Sequence, residues 1–248
     1  MAEVAQHFTD MLTDGGQICC TSVGYRVNRG GYLIPLLGVW NKFEDIDFSR
    51  LPERFVLKTT HDSGSVVICK DKSKLDIQAA RNKLNKSLSK NYFWAGREYP
   101  YKYIKPRIIA EEYMENKGEE GLSDYKFFCF GGKPEILFYA SDRFNKEGES
   151  AKFDYYDMDL NHLPIRSRGH KTKNTDIPYT EEFEEMKKLA AKLSEGFPFL
   201  RVDFYLINGK VYFGELTFHH DGGVVPFIPE EWNYKLGEKI DLKSYKQH

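Results

Sequence analysis

Cysteine is scarce: Cys19, Cys20, Cys69 and Cys129 are the only four in 248 residues. Two of them are adjacent, which suits neither a metal site with loop spacing nor an ordinary disulfide. Cys69 and Cys129 lie inside apolar, strand-like runs. The expectation is buried free thiols in a reducing compartment, not a disulfide framework. An excess of charge of either sign is also missing, since 36 basic residues face 37 acidic ones and the net charge is −1. That balance lacks the basic footprint of a nucleic-acid binder. Long apolar runs are lacking too. The longest, Gly31 to Trp40, falls far short of the roughly 20 residues a membrane span needs. The polar start has no basic segment ahead of an apolar one, so no signal peptide is expected and the setting reads as cytoplasmic. No internal repeat or low-complexity segment is evident.

Aromatic residues are plentiful instead. They make up 15% of the chain, with 18 Phe and 16 Tyr, which points to a thick core or aromatic-walled clefts. The length allows one large domain or two small ones. Residues 1–50 are read as a short segment preceding the main domain, 51–248, which divides into 51–113 and 114–248.

The pattern predicts a strand within Tyr32–Trp40 and a hairpin from Arg54–Lys58 and Val66–Lys70 around the polar loop Thr59–Ser65. Asp76 is placed to cap a helix over Ile77–Lys90, with Ile77, Ala80, Leu84 and Leu88 on one face. Arg107–Met114 reads as a strand running into a connector, and Asn116–Gly121 as a loop. Asp124–Phe130, Gly131-Gly132 and Glu135–Ala140 read as strand, tight turn and strand. Residues 145–178 carry little pattern and are expected to form a mobile excursion, with a strand possible at Phe153–Tyr156. Thr180 is placed to cap a helix over Glu181–Glu195 that Gly196 ends. Leu200–Ile207, Asn208-Gly209 and Val211–Leu216 form the clearest hairpin. The fold class is therefore α+β, with antiparallel hairpins backed by helices.

Chemistry concentrates on that last hairpin. Arg201 and Asp203 are two apart and share a face, as do Glu215 and Thr217. Counting outwards from the Asn-Gly turn sets Asp203 opposite Gly214, one residue short of Glu215. A bulge at the glycine would bring the two carboxylates together. Two carboxylates on neighbouring strands suit Mg²⁺, although a solvated strand face with an Arg–Asp pair is the plainer alternative. Each amide substitution, Asp203→Asn or Glu215→Gln, is expected to leave the fold intact. Lys58 leaves its strand beside a hydroxyl-rich loop and could hold phosphate oxygens while loop amides do the same; a surface lysine before a hairpin tip is the alternative. The connector Ile108–Met114 could offer backbone groups to an adenine edge.

Five ordered motifs carry a resemblance: Arg54–Gly64, Lys105–Met114, Asp124–Phe127, Arg201–Tyr205 and Phe213–Phe218. Together they resemble the TupA-like ATP-grasp family over roughly Tyr32 to Leu242. The resemblance implies an ATP-grasp fold of two α+β subdomains with ATP held between them, and the cofactors ATP and Mg²⁺. It implies that Lys58 and the Ser63-Gly64 loop bind phosphates, with His61 in that loop near ATP. Glu112 by its backbone C=O and Met114 by its N–H would meet adenine, with Glu111 and Tyr113 alongside. Asp124 would hold the ribose, and Lys126 would reach phosphate or substrate. Asp203, Glu215 and Thr217 would form the metal site, with Thr217 standing where many ATP-grasp ligases have Asn. Arg201 would face the acyl phosphate and the tetrahedral oxyanion. The segment before Tyr32 departs from the family, lacking its Asp-Lys…Val-Arg pattern.

The implied activity is ATP-dependent ligation of a carboxylate to an amine, or less readily a hydroxyl, in cell-surface polysaccharide or polymer synthesis. The substrates would be small-molecule or glycan-linked. A kinase acting on a hydroxyl and a nucleotide- or glycan-binding module without turnover are the rivals. Arg97-Glu98 and Arg143 are candidates to meet the acceptor, and His219-His220-Asp221 is a weak candidate for a transition-metal cluster.

Overall fold

The structure is a computed structural model that describes residues 31–62, 64–116, 121–142 and 151–243. Ser63 and Arg143, Cys19 and Cys20, and the segment before Gly31 lie outside these residues. The chain divides into two compact units, Met1–Tyr113 and Met114–His248.

In the first unit, strands β1 (Leu36–Trp40), β2 (Phe55–Thr59), β3 (Val66–Cys69) and β4 (Ile108–Glu112) form an antiparallel sheet in the order β1-β4-β2-β3. β2 alternates strictly between buried and half-buried, and this splits the sheet's two faces. Phe55, Leu57, Ile108 and Ala110 point into a core closed by helix α1 (Ile77–Leu88) through Ala80 and Leu84. The Asp76 carboxylate caps α1, accepting from Ala79 N at 2.8 Å. Ile77 is half exposed instead of joining the apolar stripe. It is the first helical residue, ahead of the turns that pack. A four-residue helix, α2 (Phe93–Gly96), precedes β4.

The second unit is built on a five-stranded antiparallel sheet in the order β10-β9-β5-β6-β7: β5 (Asp124–Phe130), β6 (Lys133–Ser141), β7 (Lys152–Tyr156), β9 (Phe199–Ile207) and β10 (Lys210–Thr217). Asn208 and Gly209 both take positive φ, the conformation a two-residue turn needs to match strand twist. Helix α3 (Glu181–Ser194) buries Phe183, Met186 and Ala190 and packs on the sheet face that carries Phe127. The opposite face holds the aromatic cluster of Phe128, Phe130, Phe138 and Tyr155.

The described part of 145–178 is not the excursion the pattern suggests. β7 is an edge strand whose Tyr155 and Tyr156 are fully buried. Ser167, in β8 (Arg166–Ser167), pairs with Phe227 in β11 (Phe227–Ile228). Helix α4 (Glu231–Glu238) then places Leu236 and Trp232 against the aromatic cluster. The segment looks polar in sequence because its apolar residues are few, yet Phe153, Tyr155, Leu163 and Ile165 join the aromatic cluster. Cys69 and Cys129 are free, buried thiols, and Cys129 is pushed up to about 12 by burial. Among the described residues, no helix is long and apolar enough to cross a membrane.

Candidate functional site

The second unit presents one charged cluster in an aromatic surround. The β10–β9 register carries a bulge between Phe213 and Glu215, so Glu215 stands opposite Asp203 and Thr217 opposite Arg201. Gly214 is the extra residue. A Cβ there would lie 3.1 Å from the Asp203 carbonyl oxygen and 3.2 Å from the Tyr205 ring, so a side chain would crowd the bulge. On the other side of β9, Lys126 pairs with Asp203 and Phe128 with Arg201. Strand alternation thus gathers Arg201, Asp203, Glu215, Thr217, Asp124 and Lys126 on one face.

The Arg201 guanidinium is held at nearly every donor. Nε donates to Asp203 Oδ1 at 2.8 Å, and Nη2 donates to Asp203 Oδ2 at 2.8 Å and to Glu215 Oε1 at 2.6 Å. Nη1 donates to His220 Nδ1 at 3.0 Å. Lys126 Nζ donates to Asp203 Oδ2 and lies 2.9 Å from Asp124 Oδ1. Thr217 Oγ1 donates to Glu215 Oε1 at 3.3 Å. Burial by itself would raise the Asp203 pKa; the positive charge of Arg201, then that of Lys126, outweighs it and holds the carboxyl down at about 2. Arg201 is correspondingly raised, the Asp203 and Glu215 charges overcoming its own burial. Glu215 is the open member, its side chain 54% exposed against 2% for Asp203.

Two cations, Lys126 and Arg201, face four carboxylates, Asp124, Asp203, Glu215 and Asp221, an excess of two negative charges that matches one divalent cation. A carboxylate offers about four lone-pair sites. Asp203 accepts three hydrogen bonds and Glu215 Oε1 accepts two, so Glu215 Oε2 and a site on Asp203 Oδ1 remain. This hard-oxygen set fits Mg²⁺, which usually takes only one or two protein carboxylates. Among the described residues, no group of three or more His, Cys, Asp or Glu is arranged to hold a metal, so the transition-metal reading of His219-His220-Asp221 falls.

His220 is instead a partner of Arg201, a role the sequence reading missed. His220–Gly223 forms a tight turn with Asp221 and Gly222 at positive φ. The His220 ring centroid sits 4.7 Å from Phe128 and 5.4 Å from Phe138, and it stacks on Phe227 at 6.0 Å. Burial, then the Arg201 charge, pushes its pKa down to about 4. It is therefore neutral at pH 7, and accepting at Nδ1 leaves the proton on Nε2. Nε2 lies 3.5 Å from Asp221 Oδ2, without hydrogen-bond geometry.

The first unit holds the other predicted residues. Lys58 lies on the sheet face away from the core and forms a 2.7 Å ion pair with Glu111, diagonally across β2 and β4. Val56, Ile68 and Ile109 alternate onto the same face. Gly64 has φ +94 and open space where a Cβ would stand. Asp62, which the sequence reading did not single out, organises this loop: its carboxylate accepts from Thr59, from Ser65 at 2.5 Å and from Ser87 at 2.5 Å. His61 is not open to a nucleotide. It is 1% exposed, and its Nε2 faces the carbonyls of Ser87 at 3.1 Å and Lys90 at 3.0 Å, fastening the loop to the end of α1. Glu112 closes β4 with its N–H donating to Pro35 O at 3.0 Å. Tyr113 follows beneath the cations of Arg54 and Lys70, 4.8 and 5.6 Å from its ring centroid. Arg97 leans on Trp94 at 5.0 Å, with Glu98 next to it. Met114 opens the second unit.

Asp124 is almost fully buried against Lys126, so its carboxylate is a support for that lysine in this arrangement. A cleft of about 320 Å³ lies at the turn end of β9–β10, lined by Asn116, Tyr125, Tyr139, Leu206 and Asn208. None of the sequence-predicted site residues lines it.

Among solved structures the chain is similar to a D-alanine–D-alanine ligase from Bacillus anthracis complexed with ATP, at 14% identity, 80% of this chain, 52% of that chain and a TM-score of 0.41. It is similar to the ATP-grasp ligase PsnB complexed with minimal precursor, at 11% identity, 90% of this chain, 60% of that chain and a TM-score of 0.44. It is also similar to the D-cycloserine synthetase DcsG, at 15% identity, 97% of this chain, 79% of that chain and a TM-score of 0.44. The chain thus spans about half the length of the first of these. No curated protein matches it. The family described as TupA-like ATPgrasp matches residues 26–241. With most of the chain inside that match and an α+β fold of antiparallel sheets, the protein belongs to the TupA-like ATP-grasp family.

Proposed function

We propose that the protein is an ATP-dependent carboxylate ligase. The observation that supports this best is the Asp203–Glu215 register, with Arg201 fixed beside it and one of its N–H groups unused. In the proposed reaction, an oxygen of the substrate carboxylate attacks the γ-phosphorus of ATP, and the β–γ bridging oxygen leaves with ADP. An amine nitrogen then attacks the acyl carbon of the resulting acyl phosphate. Phosphate departs with the C–O bond electrons, and the amine loses a proton. Mg²⁺ held by Asp203 and Glu215, with Thr217 bonded to Glu215, would neutralise charge on the phosphates. Lys58, 35% exposed and paired with Glu111, offers a cation to phosphate oxygens from beside the loop that Asp62 braces. Lys126 keeps Asp203 ionised and ordered. Arg201 directs its free N–H at the oxygen that gains charge during acyl transfer. Glu111, Glu112, Tyr113 and Met114 are the proposed adenine contacts.

Family membership makes cell-surface polysaccharide or polymer assembly the proposed setting, with glycan-linked or small-molecule carboxylates and amines as substrates and the cytoplasm as the compartment. A screen of amino acids and uronic acids for ADP release identifies the pair. With ¹⁸O in the substrate carboxylate, the expected result is label in the released phosphate. Phosphate free of label, or a phosphorylated acceptor, overturns carboxylate activation in favour of another phosphoryl transfer.

A further inference from the structure

A guanidinium has five N–H groups in a fixed plane. In Arg201 the protein uses four: one on Nε and two on Nη2 go to Asp203 and Glu215, and one on Nη1 goes to His220. The fifth, also on Nη1, has no partner among the described residues. Asp203 and Glu215 grip the Nε and Nη2 side of the fork, so only His220 holds the nitrogen that carries the free donor.

We infer that His220 is a positioning residue that aims the one unused N–H of Arg201 at the reacting oxygen. Its suitability follows from its surroundings. The ring is fixed by Phe128, Phe138 and Phe227, and a tight turn at Asp221-Gly222 follows it directly. Its Nδ1 must accept, because an arginine cannot, so the bond exists only with the neutral ring. A carboxylate at this place would draw the guanidinium charge onto itself and blunt its effect on a developing oxyanion. A neutral acceptor orients Nη1 and leaves that charge for the substrate.

The inference rests on the proposed role of Arg201, and the experiment separates the two. His220→Leu removes the acceptor and keeps an apolar filler. His220→Asn keeps an acceptor near Nδ1 and gives up most ring contacts. A packing role therefore makes the Asn variant the worse one, and a positioning role makes the Leu variant the worse one. The first readout is the ¹⁵N–¹H spectrum of the Arg201 guanidinium, assigned by its loss in Arg201→Met. The expected result is a protected Nη1 signal in wild type and His220→Asn, absent in His220→Leu. The second is ADP release with the amino-acid or uronic-acid pair that supports it in wild type. We expect kcat in His220→Leu to fall by about 10- to 100-fold with KM nearly unchanged, as for other lost orienting contacts, and His220→Asn to stay within a few-fold of wild type. An unchanged Nη1 signal in His220→Leu, equal losses in both variants, or a larger loss in His220→Asn overturns the inference. If Arg201→Met itself turns over normally, the reading of Arg201 fails instead, whatever the His220 spectra show.

Discussion

Asp203→Asn tests the central feature of the site because the two carboxylates proposed to hold the metal differ so sharply in setting. From sequence, both amide substitutions were expected to leave the fold intact, since each removes charge at nearly constant volume. The structure divides them. Asp203 is 1% exposed and accepts three charge-assisted hydrogen bonds, two from Arg201 and one from Lys126. The amide presents an N–H₂ to one of these cationic donors and removes the carboxylate that Arg201 and Lys126 share. Breaking a buried pair by removing one partner typically costs about 3–5 kcal/mol, and we expect Asp203→Asn to fall in that range. Glu215 is half exposed and keeps water as an alternative partner, so Glu215→Gln should cost about 1 kcal/mol or less. Both should raise the Mg²⁺ needed for ATP turnover. Urea denaturation followed by amide exchange along β9 reads the second unit directly.

The pH dependence of the same pair gives an internal check. The Asp203 pKa is lowered in the folded state, from an ordinary 3.8 to about 2. A lowered carboxyl pKa contributes stability that is full above about pH 4 and is lost as pH falls toward 2. Protonated Asp203 resembles Asn, so the stability difference between wild type and Asp203→Asn should narrow as pH falls through that window and stay constant from pH 5 to 8. A difference below about 1 kcal/mol at pH 7, or one that does not change with acid, would refute the account of Asp203 as the ionised hub of the cluster.

Two other perturbations follow from the local geometry. Lys58→Ala should weaken MgATP binding at least about tenfold by calorimetry, as expected for a lost charge-assisted contact, with Lys74→Ala on an exposed 3-10 turn as an inert control; equal affinities would remove Lys58 from the phosphate site. Gly214→Ala should raise the Mg²⁺ requirement without touching a ligand, because its Cβ would press on the Asp203 carbonyl at 3.1 Å and disturb the bulge; unchanged Mg²⁺ dependence would show that the register does not depend on the glycine.

The legible parts of the fold were those fixed by local chemistry. Asp76 and Thr180 cap the helices their positions foretold, and the Asn208-Gly209 turn allowed the register to be counted to within one residue of the truth. The remaining residue was legible too, because a glycine interrupts an otherwise bulky strand where two carboxylates needed to meet. What escaped was non-local. The stretch from Lys152 to Ser167 shows no period because β7 takes its partners from β6 and β8 takes its partner from β11, about 60 residues away. His61 stands in a loop whose composition suggests phosphate, yet its ring is directed to the carbonyls at the end of α1. Asp62 gave no signal, since an aspartate among hydroxyls in a turn is common. His220 escaped because it stands in a turn beyond the end of β10, where strand periodicity gives no guide to what a side chain meets.

The arrangement around Arg201 also explains why this position calls for arginine. Its plane spans two strands and a turn at once: Asp203 on its own strand, Glu215 across the bulge and His220 beyond the end of β10. A lysine has three donors on one nitrogen and no fork, so it could meet Asp203 or Glu215 but could not hold both and His220 while keeping a donor in reserve. Lys126 illustrates the difference. It is equally buried, yet it meets two carboxylates, Asp124 and Asp203. The two cations therefore divide the work. Lys126 balances charge beneath Asp203, and Arg201 converts the same carboxylate into a rigid mount for one directed N–H. A rigid donor stabilises charge that develops during reaction more than charge already present, because it need not reorganise as the charge appears. That property suits acyl transfer, in which the oxyanion exists only transiently. It also explains why the strongest contacts in the cluster are made within the protein and not left open to solvent.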